Sequence, residues 1–455
     1  MELSYTVRIW SIRKRPYRKP FQLRWQVGTR PHSESFLTVG LAESRRAQLF
    51  TAARAGEAFD VESGLPTSML KDQEVSWYAH ARLYIGMKWP HAPASTRRTL
   101  AEAMASVMPA LVRDTKGMPD VNAARTALYG WAFNVKRWGE EPPRDVAAAL
   151  AWFERKSLPA SALADRMLVR QALDALTLKL DGGTAAASTI RRKRAIFHNS
   201  LVYAVDAGHL KDNPLPQVRW TMPEKVEDEL DPECVPSPEQ AEILLAAVRD
   251  QSARGRRLAA FFGCIYYAAA RPAEVIGLRL RDCDLPRRGW GSLRLRETRP
   301  RSGSAWTDSG EAHDTRGLKH RPRKAVRPVP IPPELVAMLR WHVTAFGVAP
   351  DGRIFQTSRG GLIQDTGYGE VWAVAREALS VAERESGLAK RPYDLRHAAV
   401  STWLSSGVEP QLVAKRAGHS VAVLFRVYAK FLGNGDDAAN AKISARLRQG
   451  RTPPA

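Results

Sequence analysis

Between Asn213 and Pro238 the chain carries six prolines, and its middle, Glu224 to Glu233, is acidic. Proline removes backbone donors and a run of carboxylates repels itself, so this segment builds no core and reads as an extended linker. It separates a stretch patterned almost wholly for helices from one that mixes helices and strands, and so excludes a single continuous core. At 455 residues, a prior of roughly 150 per domain gives about three domains, and an apolar content of 44% allows each a packed interior. The expected fold class is multidomain, mainly α with small β-sheets. The boundaries are 1–65 for an N-terminal three-stranded sheet plus helix, 70–213 for a helical domain, 214–235 for the linker and 236–455 for a mixed α+β domain.

Lysine and arginine number 69 against 47 acidic residues, a formal charge of +22. That imbalance exceeds what solubility requires and favours a nucleic-acid partner over a generically basic protein. Cys234, Cys264 and Cys283 match neither a metal-binding spacing nor a disulfide framework, which fits a reduced, cytoplasmic setting. The N-terminus lacks the order of a signal peptide, and the longest apolar run, Leu258 to Ala270, is too short to span a bilayer. That run reads as a buried helix that delivers Arg271 to a surface, with no membrane partner.

In the N-terminal unit, Phe21 to Val27 alternates, placing Phe21, Leu23, Trp25 and Val27 on one face and Gln22, Arg24 and Gln26 on the other. Tyr5 to Arg13 and Phe36 to Val39 are the other expected strands, with a helix over Glu43 to Ala58. Arg15, Arg18 and Lys19 lie in the basic turn joining the first two strands, so with Arg24 they form either a DNA-entering ribbon or an ordinary solvated face. In the helical unit the last expected helix, Ser188 to Ala207, has Ser188 as a plausible N-cap. Arg191, Arg192, Lys193 and Arg194 follow it. Consecutive residues point around a helix, so these four cannot all face one phosphate backbone; as a group they are the best DNA-contact candidates there.

The densest chemistry lies near the C-terminus. Phosphodiester cleavage needs charge on the non-bridging oxygens, a nucleophile and a proton for the leaving oxygen. Arg271, with Glu274 at i+3, and Arg396 can offer planar forks to phosphate. Asp394 is a fair N-cap for a helix over Leu395 to Ser406; a second, Pro410 to Ala417, stops at Gly418 and pins His419 at a turn. Ser420 can cap the next helix, where Val421, Leu424, Phe425 and Tyr428 share a face. By periodicity alone Tyr428 is a core aromatic. Asp282-Cys283-Asp284 reads as a solvated turn rather than a metal pair.

Together, Arg271-Pro-Ala-Glu274, Leu395-Arg396-His397, Gly418-His419 and Tyr428 resemble the catalytic domain of tyrosine recombinases, the phage-integrase family of site-specific recombinases. His419 follows Arg396 by 23 residues and Tyr428 follows His419 by 9, spacings similar to the family's. The resemblance extends to the helical unit, similar to a SAM-like core-binding domain, and to the N-terminal unit, similar to an arm-type DNA-binding domain. It implies that Tyr428 is the nucleophile forming a 3′-phosphotyrosine, that Arg271, Arg396 and His419 bind the phosphate, and that Glu274 and His397 support them. Lys319 matches the hairpin lysine that protonates the leaving oxygen, with Lys324 as its rival. It further implies double-stranded attachment-site DNA and a homotetramer as partners, accessory directionality or bending proteins, a place at the nucleoid, integration or excision of a mobile element, and no cofactor or metal.

One position departs from the family, which commonly has histidine where this chain has Tyr393. A phenol hydrogen-bonds to phosphate but is a poor general base near neutrality, so proton removal from Tyr428 is expected to be slow or assisted by His419. The alternatives are a type IB-like topoisomerase, a catalytically silent DNA-binding regulator and a metal-dependent nuclease.

Overall fold

The computed structural model describes residues 2–71, 75–222, 231–319, 322, 324–428 and 436–449. The acidic middle of the linker and residues 431–435 of the C-terminal tail lie largely outside that set. The chain divides into two compact units, one of residues 1–92 and 96–223, the other of 93–95 and 224–455. Both are built mainly of helices with small antiparallel sheets. Among the described residues no helix is long and apolar enough to cross a membrane.

In the first unit, strand Phe21–Val27 is central. It pairs with Val7–Ile9, Arg13–Lys14 and Arg30–Phe36, so this sheet has four strands rather than three. Leu23, Trp25 and Val27 are buried against Leu49, Ala52 and Phe59, the alternation read from the sequence. The last strand runs earlier than expected, at Arg30–Phe36, because Gly28 at φ +58 turns the chain back directly after Val27. Thr38 caps the following helix, which therefore opens at Val39 instead of Glu43. Arg15, Arg18 and Lys19 are exposed, while Arg24 sits 5.5 Å from the Trp10 ring centroid.

The helices Trp77–Lys88, Val121–Ala127 and Arg166–Ala175 open on Ser76, Asp120 and Asp165, whose side chains accept from first-turn N–H groups. The basic helix runs Ala187–Asp206 and opens on Ala186, so Ser188 is not its cap. Its buried stripe is Ile190, Lys193, Phe197, Leu201 and Ala204. Lys193 is thus not a DNA contact. It is fully buried, and its Nζ donates to Leu178 O (2.8 Å) and Ser106 Oγ (3.0 Å) and pairs with Glu102 (3.2 Å). An ammonium so sealed stays only with such partners. Arg192 is exposed, whereas Arg191 and Arg194 are partly buried.

In the second unit, helix Pro238–Asp250 opens on a capping box of Ser237 and Gln240 and packs on Ala253–Tyr267. The latter is the apolar run, buried nearly all round. Strands Cys283–Asp284, Gly291–Leu295 and Arg327–Ile331 form an antiparallel sheet with Gly291–Leu295 central. Asp282 is buried and paired with Arg296 at 2.7 Å, so that segment is not a solvated turn. Glu297–Thr298 and Arg316–Gly317 pair as a two-stranded ribbon at the base of the long excursion. Helices Asp394–Ser405, Pro410–Ala417 and Val421–Tyr428 close the unit around Val400, Leu404, Val413, Leu424 and Tyr428. Val421 and Phe425, expected on the buried face, are 36% and 47% exposed, leaving Leu424 and Tyr428 as the inward pair.

Candidate active site

The site begins where the apolar helix ends. Ala269 adopts φ +46, a conformation rare for a residue with a Cβ, and turns the chain so that Arg271 opens the short helix Pro272–Ile276. Glu274 reaches back: one oxygen accepts from the Arg271 N–H (2.8 Å), the other from its guanidinium (2.9 Å). The same carboxylate takes a two-pronged contact from Arg327, at 3.0 and 2.7 Å. Glu274 and Arg327 are each 1% exposed. Burial alone would raise the Glu274 pKa, but Arg327, Arg271 and Arg396 outweigh it and hold the group at about 2.

Arg396 is fully buried. It donates to Ala269 O, to Ala417 O (2.6 Å) and to His419 Nε2 (2.7 Å), leaving its own Nε without a partner among the described residues. A guanidinium only donates, so His419 Nε2 must be the acceptor and Nδ1 carries the proton. That Nδ1 is buried and likewise unpartnered among the described residues. Gly418 ends the Pro410–Ala417 helix in the left-handed region at φ +69, as the sequence suggested, and its carbonyl accepts from Arg271 (3.0 Å). Ser420 caps the next helix through Val423 N–H. Asp394 does not act as an N-cap; Tyr393 takes that position and Asp394 accepts from Arg391 N–H (2.8 Å).

Tyr428 is fully buried, with its hydroxyl 2.8 Å from His397 Nδ1 and its ring stacked on His419. Burial raises the phenol pKa. Tyr393 packs edge-on against His397 (5.2 Å). For Arg271, burial disfavours the charge, but Glu274 and Tyr393 oppose it and the pKa ends above its ordinary value.

Arg271, Glu274, Tyr393, Arg396, His397, His419 and Tyr428 are therefore gathered in one place, whereas Lys319 and Lys324 are exposed and form no hydrogen bond or ion pair with a described residue. Two groups were not assigned these places from the sequence. Arg327 is a third guanidinium of the cluster. Its signal was the inward alternation of Arg327, Val329 and Ile331, which puts an arginine on a buried face. His397, expected in support, touches Tyr428 directly. Three guanidiniums face one carboxylate, so the cluster carries surplus positive charge suited to an anion. Among the described residues no group of three or more His, Cys, Asp or Glu side chains is placed to hold a metal.

The imidazoles predict a pH dependence. Burial, then Arg396 and Arg391, lowers the His397 pKa to about 4; burial, then Arg396, Arg271, Arg327 and His397, lowers that of His419 to about 3. The unfolded chain takes up these protons near pH 6.5 and the folded unit does not. The resulting stability is complete above pH 6.5 and is lost progressively towards pH 3–4. The thermal midpoint is expected to fall steadily from pH 7 to 4.5, and a flat profile would contradict imidazoles held neutral in the fold.

No protein-family model and no curated protein matches the chain. Among solved structures, it is similar to the Tn1549 transposon integrase in complex with a circular intermediate DNA, at 14% identity and a TM-score of 0.49 over 68% of this chain and 96% of that one. It is also similar to the XerH site-specific recombinase bound to difH substrate, at 13% identity and 0.46 over 80% and 95%. A third likeness is to a lambda integrase tetramer bound to a Holliday junction, at 11% identity and 0.46 over 90% and 95%. Likeness at this level concerns the chain trace and does not say which side chains react.

Proposed function

We propose that this protein is a site-specific tyrosine recombinase that breaks and rejoins DNA through a 3′-phosphotyrosine. The observation that carries the reading is the cluster of Arg271 and Arg327 bonded to the Glu274 carboxylate, with the buried Arg396 guanidinium in its field, set beside Tyr428. Surplus positive charge with unpartnered N–H groups suits a phosphate, and a phenol alongside supplies a nucleophile. Arg271, Arg396, His419 and Tyr393 bind the scissile phosphate. Arg327 and Glu274 hold the arginines in place. Lys319, or Lys324, arrives from the exposed excursion to protonate the 5′-oxygen. Because Tyr428 is fully buried, strand cleavage requires its helix to move or DNA to open the cluster.

The wider reading assigns residues 1–65 to an arm-type DNA-binding domain, 70–213 to a core-binding domain and 236–455 to catalysis. Arg15, Arg18, Lys19, Arg24, Arg191, Arg192 and Arg194 serve as DNA contacts. The substrate is double-stranded attachment-site DNA of a mobile element, bound by a homotetramer with accessory bending or directionality factors, in the cytoplasm at the nucleoid. The complete burial of Tyr428 favours one second reading, a catalytically silent DNA-binding regulator.

The test is to incubate the protein, in chelator, with a duplex from the element's candidate attachment site nicked just downstream of the scissile phosphate. A covalent protein–DNA adduct in wild type and its absence in Tyr428→Phe is expected. No adduct on a site that both proteins bind supports the regulator, and loss of cleavage in chelator alone supports a metal-dependent nuclease.

A further inference from the structure

A hydroxyl that attacks phosphorus must lose its proton, and this chain has tyrosine where the resemblance supplies a histidine for that task. His419, the residue first expected to assist, is poorly placed to do so. Its Nε2 lone pair already accepts from Arg396, its Nδ1 carries the proton, and its ring lies stacked on Tyr428, 6.1 Å between centroids and 24° between planes. Tyr393 carries a phenol, a poor general base near neutrality. The remaining imidazole, His397, presents Nδ1 at 2.8 Å from Tyr428 Oη.

We propose that His397 is the proton acceptor for Tyr428, taking the place left by Tyr393; this rests on the recombinase reading above. His397 follows Arg396 on the Asp394–Ser405 helix, so one rigid element carries both a phosphate-binding fork and the base for the nucleophile. Tyr393, one turn earlier, buttresses the imidazole edge-on and fixes its rotation. The imidazole is neutral near pH 7, because burial and the Arg396 and Arg391 charges disfavour its cation, so one ring nitrogen has a lone pair; in the Nε2–H tautomer, the one in which Tyr428 donates, that nitrogen is Nδ1. Since His397 is only partly buried, the acquired proton has a route to water.

In the step, the Tyr428 Oη proton passes to His397 Nδ1 and the freed oxygen pair forms the bond to phosphorus. The bond from phosphorus to the 5′-oxygen breaks, and that oxygen takes a proton from Lys319 or Lys324 to leave as a 5′-hydroxyl. On rejoining, an incoming 5′-hydroxyl attacks the phosphotyrosine and His397 returns the proton to Tyr428, by microscopic reversibility.

A bland alternative exists: the same contact could merely satisfy a buried hydroxyl. The test therefore compares wild type, His397→Ala and His397→Gln for adduct formation on the nicked duplex, with duplex binding and melting midpoint measured alongside. Glutamine can accept the hydroxyl's hydrogen bond but cannot take its proton. Adduct formation slower by about 100-fold or more in both variants is expected, with duplex binding retained. Fluorinated tyrosine at position 428, whose hydroxyl gives up its proton more readily, should restore much of the rate in His397→Gln. A His397→Gln rate within about threefold of wild type, or no recovery on fluorination, overturns the proposal. If neither variant folds, ring fluorination in the otherwise wild-type protein decides. A shallow dependence of rate on phenol acidity supports a base, and an increase in proportion to the ionised fraction overturns it. Failure of the underlying reading looks different: wild type forms no adduct, or Tyr428→Phe still does.

Discussion

Replacing Glu274 by alanine is expected to destabilise the C-terminal unit by about 3–5 kcal/mol, the usual cost of stranding a buried charge by deleting its partner. Among the described residues Glu274 is the single carboxylate that Arg271 and Arg327 both contact, and Arg327 has only 1% of its surface exposed. Its removal leaves Arg327 sealed with no counter-charge among the described residues and adds to its repulsion from Arg271 and Arg396. Glu274→Gln keeps the shape and one acceptor oxygen, yet still forfeits the charge, so it should recover a minor part of the loss. Urea unfolding of the two variants measures this directly. A loss below about 1 kcal/mol for alanine would mean that solvent or chain movement already compensates Arg327. On the recombinase reading proposed above, the same variants should also lose affinity for the attachment-site duplex out of proportion to stability, because Arg271 would no longer be aimed.

Gly418→Ala should be nearly as damaging for a different reason. Gly418 adopts φ +69, where an alanine costs roughly 1–2 kcal/mol. A Cβ there would also sit 2.2 Å from Arg327 Nη1. That nitrogen cannot swing aside, because it is bonded to Glu274 at 3.0 Å. Overpacking of this kind adds about 1–3 kcal/mol, for a total of about 2–5 kcal/mol. Gly208 is the internal control: at φ +74 it has nothing within 4 Å of its would-be Cβ, so Gly208→Ala should show the backbone cost alone. If both variants lose the same stability by thermal melting, the close approach of Gly418 to Arg327 is not what selects glycine. Adduct formation should fall in Gly418→Ala and not in Gly208→Ala, since only Gly418 sets the carbonyl that receives Arg271 and the turn that places His419.

Much of the local structure was legible because it is dictated by neighbours in sequence. The alternation of Phe21 to Val27 fixed which side of that strand is buried, Ser420 capped its helix, and Gly418 stopped another where it could adopt positive φ. Lys193 shows information that was present but under-read. It lies three residues after Ile190 and four before Phe197, on the apolar stripe of its own helix, so its burial followed from periodicity. Helix Val421–Tyr428 shows the reverse, since four apolar positions on one face predicted four buried residues and tertiary packing had room for two.

By itself the sequence determined most of the helices and their glycine stops, the central Phe21–Val27 strand, the strong positive charge, and the set of residue types able to handle a phosphate, since each depends on intrinsic side-chain chemistry or on contacts a few residues apart. Tertiary structure alone decided what those side chains do to one another. It brought Arg327 onto Glu274 across 53 residues, turned Arg396 onto His419, and set His397 against Tyr428 across 31. Which nitrogen holds a proton, which arginine lacks a counter-charge and which hydroxyl has an acceptor are properties of distances near 3 Å between segments far apart in the chain. No spacing or periodicity encodes such distances; they exist only once the cores have packed.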